Sequence, residues 1–169
     1  IAISATFVVT LGEIDLSFPS IVGITSLIFG IIMTSTDGNF FIAFILATSL
    51  GMFAGLVNGL LVTKIGIPSI VATIGTLFFW RGLVNVISQG SGIAIVDVAD
   101  GTWHHMIFVE KLFGKIPMQF IWFIVLTGLM QWVYRYHKFG NHIHFVGDNK
   151  ASAQMMGINV DNVKIIAFV

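Results

Sequence analysis

The sequence predicts an all-α polytopic membrane protein with about five transmembrane helices and a polar cytoplasmic connector. Of its 169 residues, 56% are hydrophobic and only 9% are charged, whereas soluble domains carry about 25% charged residues. The mean hydropathy is +0.96, and several apolar stretches are long enough for a helix to cross a bilayer. A soluble fold of this size could not bury so much apolar surface, so we expect lipid to be the solvent.

Six apolar segments make up a single predicted transmembrane domain, residues 1–169. Four of them approach or exceed the length that a helix needs to cross the bilayer core. The two outermost segments are too short to cross alone, so we expect this sequence to be an internal piece of a longer membrane protein. The predicted segments are residues 1–11 (partial), 19–36, 40–62, 67–87, 118–134 and 163–169 (partial).

Short polar motifs mark the breaks between the first four segments. Residues 12–19 (GEIDLSFP) place two carboxylates between apolar runs. Pro19 suits the first turn of the next helix, and Ser17 is a suitable N-cap. Residues 34–39 (TSTDGN) predict a turn centred on Asp-Gly, and residues 64–68 (KIGIP) predict a short hairpin.

A longer polar stretch, residues 89–117, lies before the fifth segment. Within it, we expect residues 93–98 to be extended and residues 108–113 to form an amphipathic element on the bilayer surface. The stretch contains only two lysines, which three acidic residues oppose. Positively charged loops favour the cytoplasm, so this composition predicts a periplasmic loop.

A second polar stretch, residues 135–162, connects the last two segments and is the predicted cytoplasmic loop. Its middle, residues 149–156, favours a short helix, and Gly157 is a natural helix end. Because a polar connector between two spans acts at a membrane face, we expect this helix to contact a soluble partner. The basic residues on this side outnumber those of the opposite side. They are Lys64, Arg135, Lys138, Lys150 and Lys164.

Two ionisable residues near apolar segments need a partner or water. A carboxylate such as Asp15 costs about 3 kcal/mol at mid-bilayer on insertion scales. It is either a structural acid within a helix break or a group that contacts a solute. Arg81 lies two turns from the end of its predicted span, where it either reaches the interface or pairs with Asp15 or Glu13 on a neighbouring helix.

Small and hydrogen-bonding residues in the spans either pack helices together or contact a passing solute. Gly51, Gly55 and Gly59 put a smooth strip on one helix face, which favours close approach of a neighbouring backbone. Hydroxyl and amide groups within lipid bond another helix, and the same groups are able to contact a polar solute. The candidates for the translocation path or helix packing are Asp15, Ser17, Asn58, Gly59, Thr73, Thr76 and Arg81.

Several function classes are excluded by composition and motif. The formal net charge is zero, which argues against a nucleic-acid partner. No phosphate-binding loop of the G-x-x-x-x-G-K-[ST] type occurs, which argues against ATP hydrolysis by this chain. His142 and His144 lack the further ligands that a zinc site requires. We therefore expect a chain that is not an enzyme, with no catalytic residue, no metal and no cofactor of its own.

Three motifs resemble those of bacterial ABC-importer permeases for monosaccharides, the ribose, xylose and arabinose type. Residues 13–17 (EIDLS) resemble the family's G-I-D-L-S signature. Residues 55–83 (GLVNGLLVTKIGIPSIVATIGTLFFWRGL) resemble G-x-x-N-G-x-x-V-x-K-x-x-I-P-x-x-I-x-T-L-G-x-x-x-x-x-R-G-L almost throughout. Residues 139–160 are similar to F-G-R-x-x-x-A-x-G-G-N-x-x-A-A-x-x-x-G-I-x-V, the family's cytoplasmic loop. The three motifs cover most of the chain in the family's order and spacing.

The resemblance implies a multi-pass subunit of the bacterial inner membrane that moves solute by alternating access. Such permeases pair with a second permease copy and with ABC ATPase subunits, and an extracytoplasmic solute-binding protein delivers the sugar. The short helix of the cytoplasmic loop would be the coupling helix that sits in a groove of the ATPase. The residues at the matching positions are Asn149, Ala151, Ser152, Ala153 and Gly157.

The chain departs from the family pattern at the first and the third of these motifs. Glu13 replaces a usual Gly, and Lys150-Ala151 replaces a frequent Pro-Glu. The second departure suggests a partner-specific ATPase. Two other functions stay open from the sequence: a secondary transporter or channel without an ATPase, and a structural membrane subunit that moves no solute. The sequence does not identify the sugar.

Overall fold

The computed structural model of the protein describes residues 2–169 and confirms the all-α prediction. Ile1, the first residue of the predicted segment 1–11, lies outside the described residues. A π-helical turn, Leu61–Ile65, continues α3. The helices are α1 (Ala2–Thr10), α2 (Phe18–Ser35), α3 (Phe40–Leu60), α4 (Ser69–Ser88), α5 (Val96–Ala99), α6 (Trp103–Phe108), α7 (Met118–Tyr136), α8 (Lys138–Asp148), α9 (Lys150–Met155) and α10 (Val160–Phe168).

Three helices within residues 2–169 are long and apolar enough to cross a membrane. They are α2, α3 together with its π-helical turn, and α4. The fourth long helix, α7, has 19 residues, but Gln119, Gln131 and Arg135 interrupt its apolar sequence, and it is not among the three.

Local sequence signals set most of the helix ends. Pro19 lies in the first turn of α2, as predicted. Asp37 and Gly38 adopt left-handed backbone conformations in the turn between α2 and α3. Gly66 ends the π-helical turn with φ +80°, and Gly157 follows α9 with the same φ, a conformation that costs glycine little.

Two of the three hydrophobic cores in the described part of the chain position the long helices and the connector. The first joins α2, α3 and α4 around Ile24, Ala54 and Trp80. The second joins α1, α8, α9 and α10. Its buried residues are Phe7, Leu11, Ile143, Val146, Ala153, Val160 and Val163. Because α10 also lies along α3, it connects the second core to the three long helices.

The polar stretch 89–117 differs from its prediction in two places. Residues 93–98 are not extended throughout, because α5 begins at Val96. Residues 108–113 do not form a continuous amphipathic element, because α6 ends at Phe108. Phe113 has a φ of +52° and lies in the turn between β1 (Lys111–Leu112) and β2 (Ile116–Pro117), which pair antiparallel. A tight hairpin therefore replaces the predicted element.

The connector 135–162 contains one helix more than predicted. The short helix over residues 149–156 is confirmed as α9, with Asn149 as its N-cap. Before it lies α8, which the sequence reasoning missed, with Gly140, Ile143 and Val146 on its buried face. The spacing of the apolar residues Ile143 and Val146 was the signal, since residues three apart share one helix face.

Candidate functional site

The break between α1 and α2 is held by side chains of α4. Gly12, with φ +74°, ends α1, and the next residues continue without helix until Phe18. Ile14 N donates to Ser69 Oγ at 3.1 Å, and Leu16 N donates to Thr73 Oγ1 at 3.2 Å. The two hydroxyls thereby supply acceptors that a helix backbone would otherwise provide, as unpaired N–H groups are costly away from water.

A chain of polar side chains runs from this break to α3 and α4. Asp15 Oδ1 accepts hydrogen bonds from Ser17 N at 2.7 Å and Ser17 Oγ at 2.6 Å. Ser17 Oγ accepts from Asn58 Nδ2, and Asn58 Oδ1 accepts from Thr76 Oγ1, each at 2.7 Å. Ser17, Asn58 and Thr73 are fully buried. We call Asp15, Ser17, Asn58, Thr73 and Thr76 the break network.

The break network brings together five of the seven residues predicted for the path or for packing. Their polar groups bond neighbouring elements, which is the arrangement that lipid favours. Ser17 occupies the N-cap position of α2, but its side chain does not cap the helix, because its hydroxyl donates to Asp15 instead.

Arg81, the sixth candidate, is not part of this arrangement. It is exposed on α4, and no ion pair joins it to Asp15 or Glu13 within the described residues. The predicted alternative of an Arg81–carboxylate pair is therefore not found. The interface alternative remains a prediction.

Glu13 pairs instead with lysines of the connector 135–162 and of α10. Its Oε1 accepts a hydrogen bond from Lys164 Nζ, and Lys150 Nζ lies 3.7 Å from the same oxygen. Burial alone would raise the pKa of the Glu13 carboxyl, but the Lys164 hydrogen bond and the two positive charges together lower the pKa below its ordinary value. Sequence reasoning missed both lysine partners; the only signal was Lys164 within an apolar run.

The glycine strip of α3 packs against α10. A Cβ at Gly59, the seventh candidate, would lie 2.9 Å from Ile165 Cα, and one at Gly55 would lie 2.9 Å from the Phe168 carbonyl carbon. Neither distance leaves room for a side chain, so these glycines allow the two backbones to approach closely. Gly51 meets only the methyl group of Thr25 on α2, at 3.4 Å.

The residues predicted for coupling differ in their exposure. Ala151 and Ser152 are exposed on α9, whereas Ala153 is completely buried in the second core. Asn149 Oδ1 caps α9 by accepting from Ser152 N at 3.0 Å, and Gly157 ends α9 in a left-handed conformation. Ala151 and Ser152 are therefore available for contact, while the other three shape and anchor the helix.

Two exposed methionines adjoin these residues and were missed by sequence reasoning. Met155 is 88% exposed and Met156 is 56% exposed. Methionine is flexible and polarizable, which suits a surface that contacts a partner. Within residues 2–169, this end of the connector therefore presents an apolar surface beside the exposed face of α9.

A large cavity lies among α2, α3 and the C-terminal end of α4, away from the break network. It has a volume of about 800 Å³, and Thr25, Ser26, Thr48 and Ser88 provide hydroxyl groups in its wall. Of the predicted path residues, none lines this cavity. Asp15 instead borders a separate space of about 210 Å³ next to Phe18 and Phe168.

Comparisons with known proteins agree over the whole sequence. A family model described as branched-chain amino acid transport system / permease component matches residues 1–169. The chain is 32% identical over 173 residues to the autoinducer 2 import system permease protein LsrC of Photorhabdus luminescens, covering 99% of the chain and 49% of that protein. It is 33% identical over 168 residues to the protein of the same name from Yersinia pseudotuberculosis, with 99% and 46% covered. The chain spans about half the length of these curated relatives. No solved structure matches it.

Proposed function

Because the chain belongs to the branched-chain amino acid transport system / permease component family, we propose that it is the membrane-spanning permease part of an ATP-driven ABC importer. The resemblance to importer permeases is thereby confirmed at the family level. The relatives named above are import system permeases, which supports import as the direction of transport. We propose a monosaccharide or a similar small polar solute as the cargo, moved by alternating access.

The observation that carries this proposal is the construction of α9. Ala153 anchors the helix in the second core, while Ala151 and Ser152 face outward. A short helix that is exposed on one side and fixed on the other is able to bind a soluble protein and to transmit its movement to the membrane helices. We propose that this protein is an ABC ATPase subunit, which hydrolyses ATP on a separate chain.

The remaining partners follow from the same proposal. A second permease copy would complete the path across the bacterial inner membrane, and an extracytoplasmic binding protein would deliver the solute. The rival is a secondary transporter or channel, which needs ionisable residues along an ion route. The three candidate spans contain only Lys64 and Arg81 as ionisable residues of the Asp, Glu, Lys, Arg and His types, which favours the ATP-driven alternative.

The test uses the full-length protein, reconstituted in vesicles with its candidate ATPase. Ser152→Arg places a bulky charge on the exposed face of α9, and Asn141→Arg places the same side chain on an exposed position of α8. ATP-driven uptake of radiolabelled ribose, xylose and arabinose is measured beside ATP hydrolysis. We expect Ser152→Arg to lower uptake about tenfold, equivalent to roughly 1.4 kcal/mol, and Asn141→Arg to leave uptake unchanged.

Two results would refute the proposed function. One is full uptake in vesicles that contain no ATPase, because the rival transporter or channel predicts it. The other is equal uptake by the Ser152→Arg and unchanged proteins, because α9 would then not be the contact. In intact cells, we also expect Ser152→Cys to react with a membrane-impermeant thiol reagent only after the cytoplasmic side is opened.

A further inference from the structure

One buried carboxylate joins three segments that are far apart in the sequence. Glu13 lies in the break between α1 and α2, Lys150 is the first residue of α9, and Lys164 lies in α10. Only 8% of Glu13 is exposed to solvent. We call these three residues the Glu13 cluster. It is distinct from the break network, whose nearest member is Asp15.

The two lysines of the cluster have unequal roles. Lys164 is buried and donates a hydrogen bond to Glu13 Oε1. The Lys150 side chain is 56% exposed, and its Nζ lies 3.7 Å from the same oxygen. A single carboxylate neutralises one of the two ammonium groups, so the cluster holds surplus positive charge. The nearby Lys164 is the main cause that lowers the pKa of Lys150 below its ordinary value.

This charge arrangement makes the cluster sensitive to the position of α9. Buried Lys164 satisfies Glu13 regardless of α9, whereas Lys150 moves with the helix that carries it. A shift of α9 therefore changes the distance between the Lys150 ammonium group and the Glu13 carboxylate, while the hydrogen bond from Lys164 of α10 to Glu13 stays in place. Because Glu13 is buried, solvent screens this change less than it would screen a pair that is exposed on both sides.

The break network begins two residues beyond Glu13. Ile14 N and Leu16 N bond hydroxyls of α4, and Asp15 bonds Ser17, which in turn bonds Asn58 of α3. A displacement of Glu13 is thus passed along the non-helical backbone of residues 13–17 to bonds on two membrane helices. The route from α9 to α3 consists of the Lys150–Glu13 contact, the covalent backbone from Glu13 to Asp15, and the hydrogen bonds that link Asp15 to Ser17 and Ser17 to Asn58.

We propose that Glu13 is a positioning residue that transmits movement of α9 to the break network. The inference rests on the proposed function, because it takes α9 to be the helix that the ATPase moves. It goes beyond that function by assigning the route along which the movement reaches the membrane helices. The movement enters through Lys150 on α9, passes through Glu13, and rearranges the hydrogen bonds of residues 14–17.

The experiment uses cysteine labelling to measure the movement of α9 and the movement of the break separately. The described chain has no cysteine, so single cysteines are introduced at Ser152 on α9 and at Leu16 in the break, which is 39% exposed. Other cysteines of the full-length protein are removed. Labelling rates with a fluorescent maleimide are measured in the reconstituted complex, without nucleotide and after trapping with ATP and vanadate.

Four substitutions are then compared in each cysteine background. Lys150→Gln removes the positive charge on α9 and leaves the buried Glu13–Lys164 pair intact, so this variant is not expected to impair folding. Glu13→Gln removes the carboxylate. Lys150→Arg keeps the charge and is the rescue variant. Lys138→Gln is the matched control, because Lys138 is exposed in the same connector and forms no ion pair among residues 2–169.

In the parent protein, we expect nucleotide to change the labelling rate about fivefold or more at both positions. Lys150→Gln and Glu13→Gln should keep the response at Ser152→Cys and lose it at Leu16→Cys, and Lys150→Arg and Lys138→Gln should keep both. An undiminished response at Leu16→Cys in Lys150→Gln would overturn the inference. So would a parent protein that responds at Ser152→Cys alone, and in both cases the proposed function would stand. A parent protein with no response at Ser152→Cys would instead refute the proposed function.

Discussion

Replacing Asn58 tests whether the break network stabilises the protein. Asn58 is completely buried, donates to Ser17 Oγ and accepts from Thr76 Oγ1, with both distances 2.7 Å. Asn58→Ala removes both hydrogen bonds, which link α3 to the break and to α4. Asn85→Ala is the matched control, because Asn85 is exposed on α4 and its side chain forms no hydrogen bond with another described residue.

The expected loss of unfolding free energy depends on which hydrogen bonds the partners of Asn58 retain in the variant. Ser17 Oγ still donates to Asp15, and Thr76 Oγ1 still lies 3.2 Å from the Thr73 carbonyl oxygen. No hydroxyl is therefore left entirely unpaired, and the full penalty for a buried orphan does not apply. Interhelical hydrogen bonds in membranes contribute about 0.6 kcal/mol each, with a maximum of about 1.7 kcal/mol. Two such bonds predict a loss of about 1–3 kcal/mol in the free energy of unfolding.

The assay is reversible unfolding of the full-length protein in mixed micelles, with increasing sodium dodecyl sulfate and helicity measured by circular dichroism. We expect Asn58→Ala to unfold at a lower detergent fraction and Asn85→Ala to stay within about 0.5 kcal/mol of the parent protein. An Asn58→Ala protein as stable as the parent would refute the reasoning. Equal losses of unfolding free energy in Asn58→Ala and Asn85→Ala would also refute it, because the loss would then not depend on the burial and hydrogen bonds of Asn58.

The remaining predictions concern helix packing and the Glu13 cluster. Gly59→Ala should destabilise the contact with Ile165 by about 1–3 kcal/mol through overpacking, whereas Gly75→Ala meets no atom within 4 Å and should leave the thermal midpoint unchanged or higher. Because the pKa of Glu13 is lowered in the folded protein, its stabilising effect is complete above its ordinary pKa of about 4.3 and is lost as the pH falls through the lowered value. Thermal midpoints measured from pH 6 down to pH 2.5 should therefore fall more for the parent protein than for a Glu13→Gln, Lys164→Met double variant; parallel curves would contradict this.

The helix ends could be predicted because their causes are local. Pro19 and Gly157 impose backbone conformations on their own positions, so no knowledge of distant residues is needed. The same applies to Asn149, whose side chain caps α9 only three residues away. Most of the secondary structure follows from such signals together with apolar segment length.

The Glu13 cluster could not be predicted, because its partners are distant in the sequence. Glu13 and Lys164 are separated by 151 positions, and nothing in either neighbourhood specifies the other. A buried carboxylate requires a partner, and the sequence suggests Arg81 because it is an ionisable residue within an apolar span. The actual partner depends on how α10 crosses α3, and that crossing is set by close packing at Gly55 and Gly59.

The contrast between these two contacts suggests which parts of the protein move. At the α3–α10 crossing, backbones touch without intervening side chains, so any displacement creates overlap or a void and is costly. At the break, Ile14 N and Leu16 N each donate one hydrogen bond, to the hydroxyls of Ser69 and Thr73. A hydroxyl rotates and both donates and accepts, so these bonds exchange partners at a cost of about 0.6 kcal/mol each. Movement delivered at Glu13 should therefore rearrange the break first and leave α10 fixed to α3.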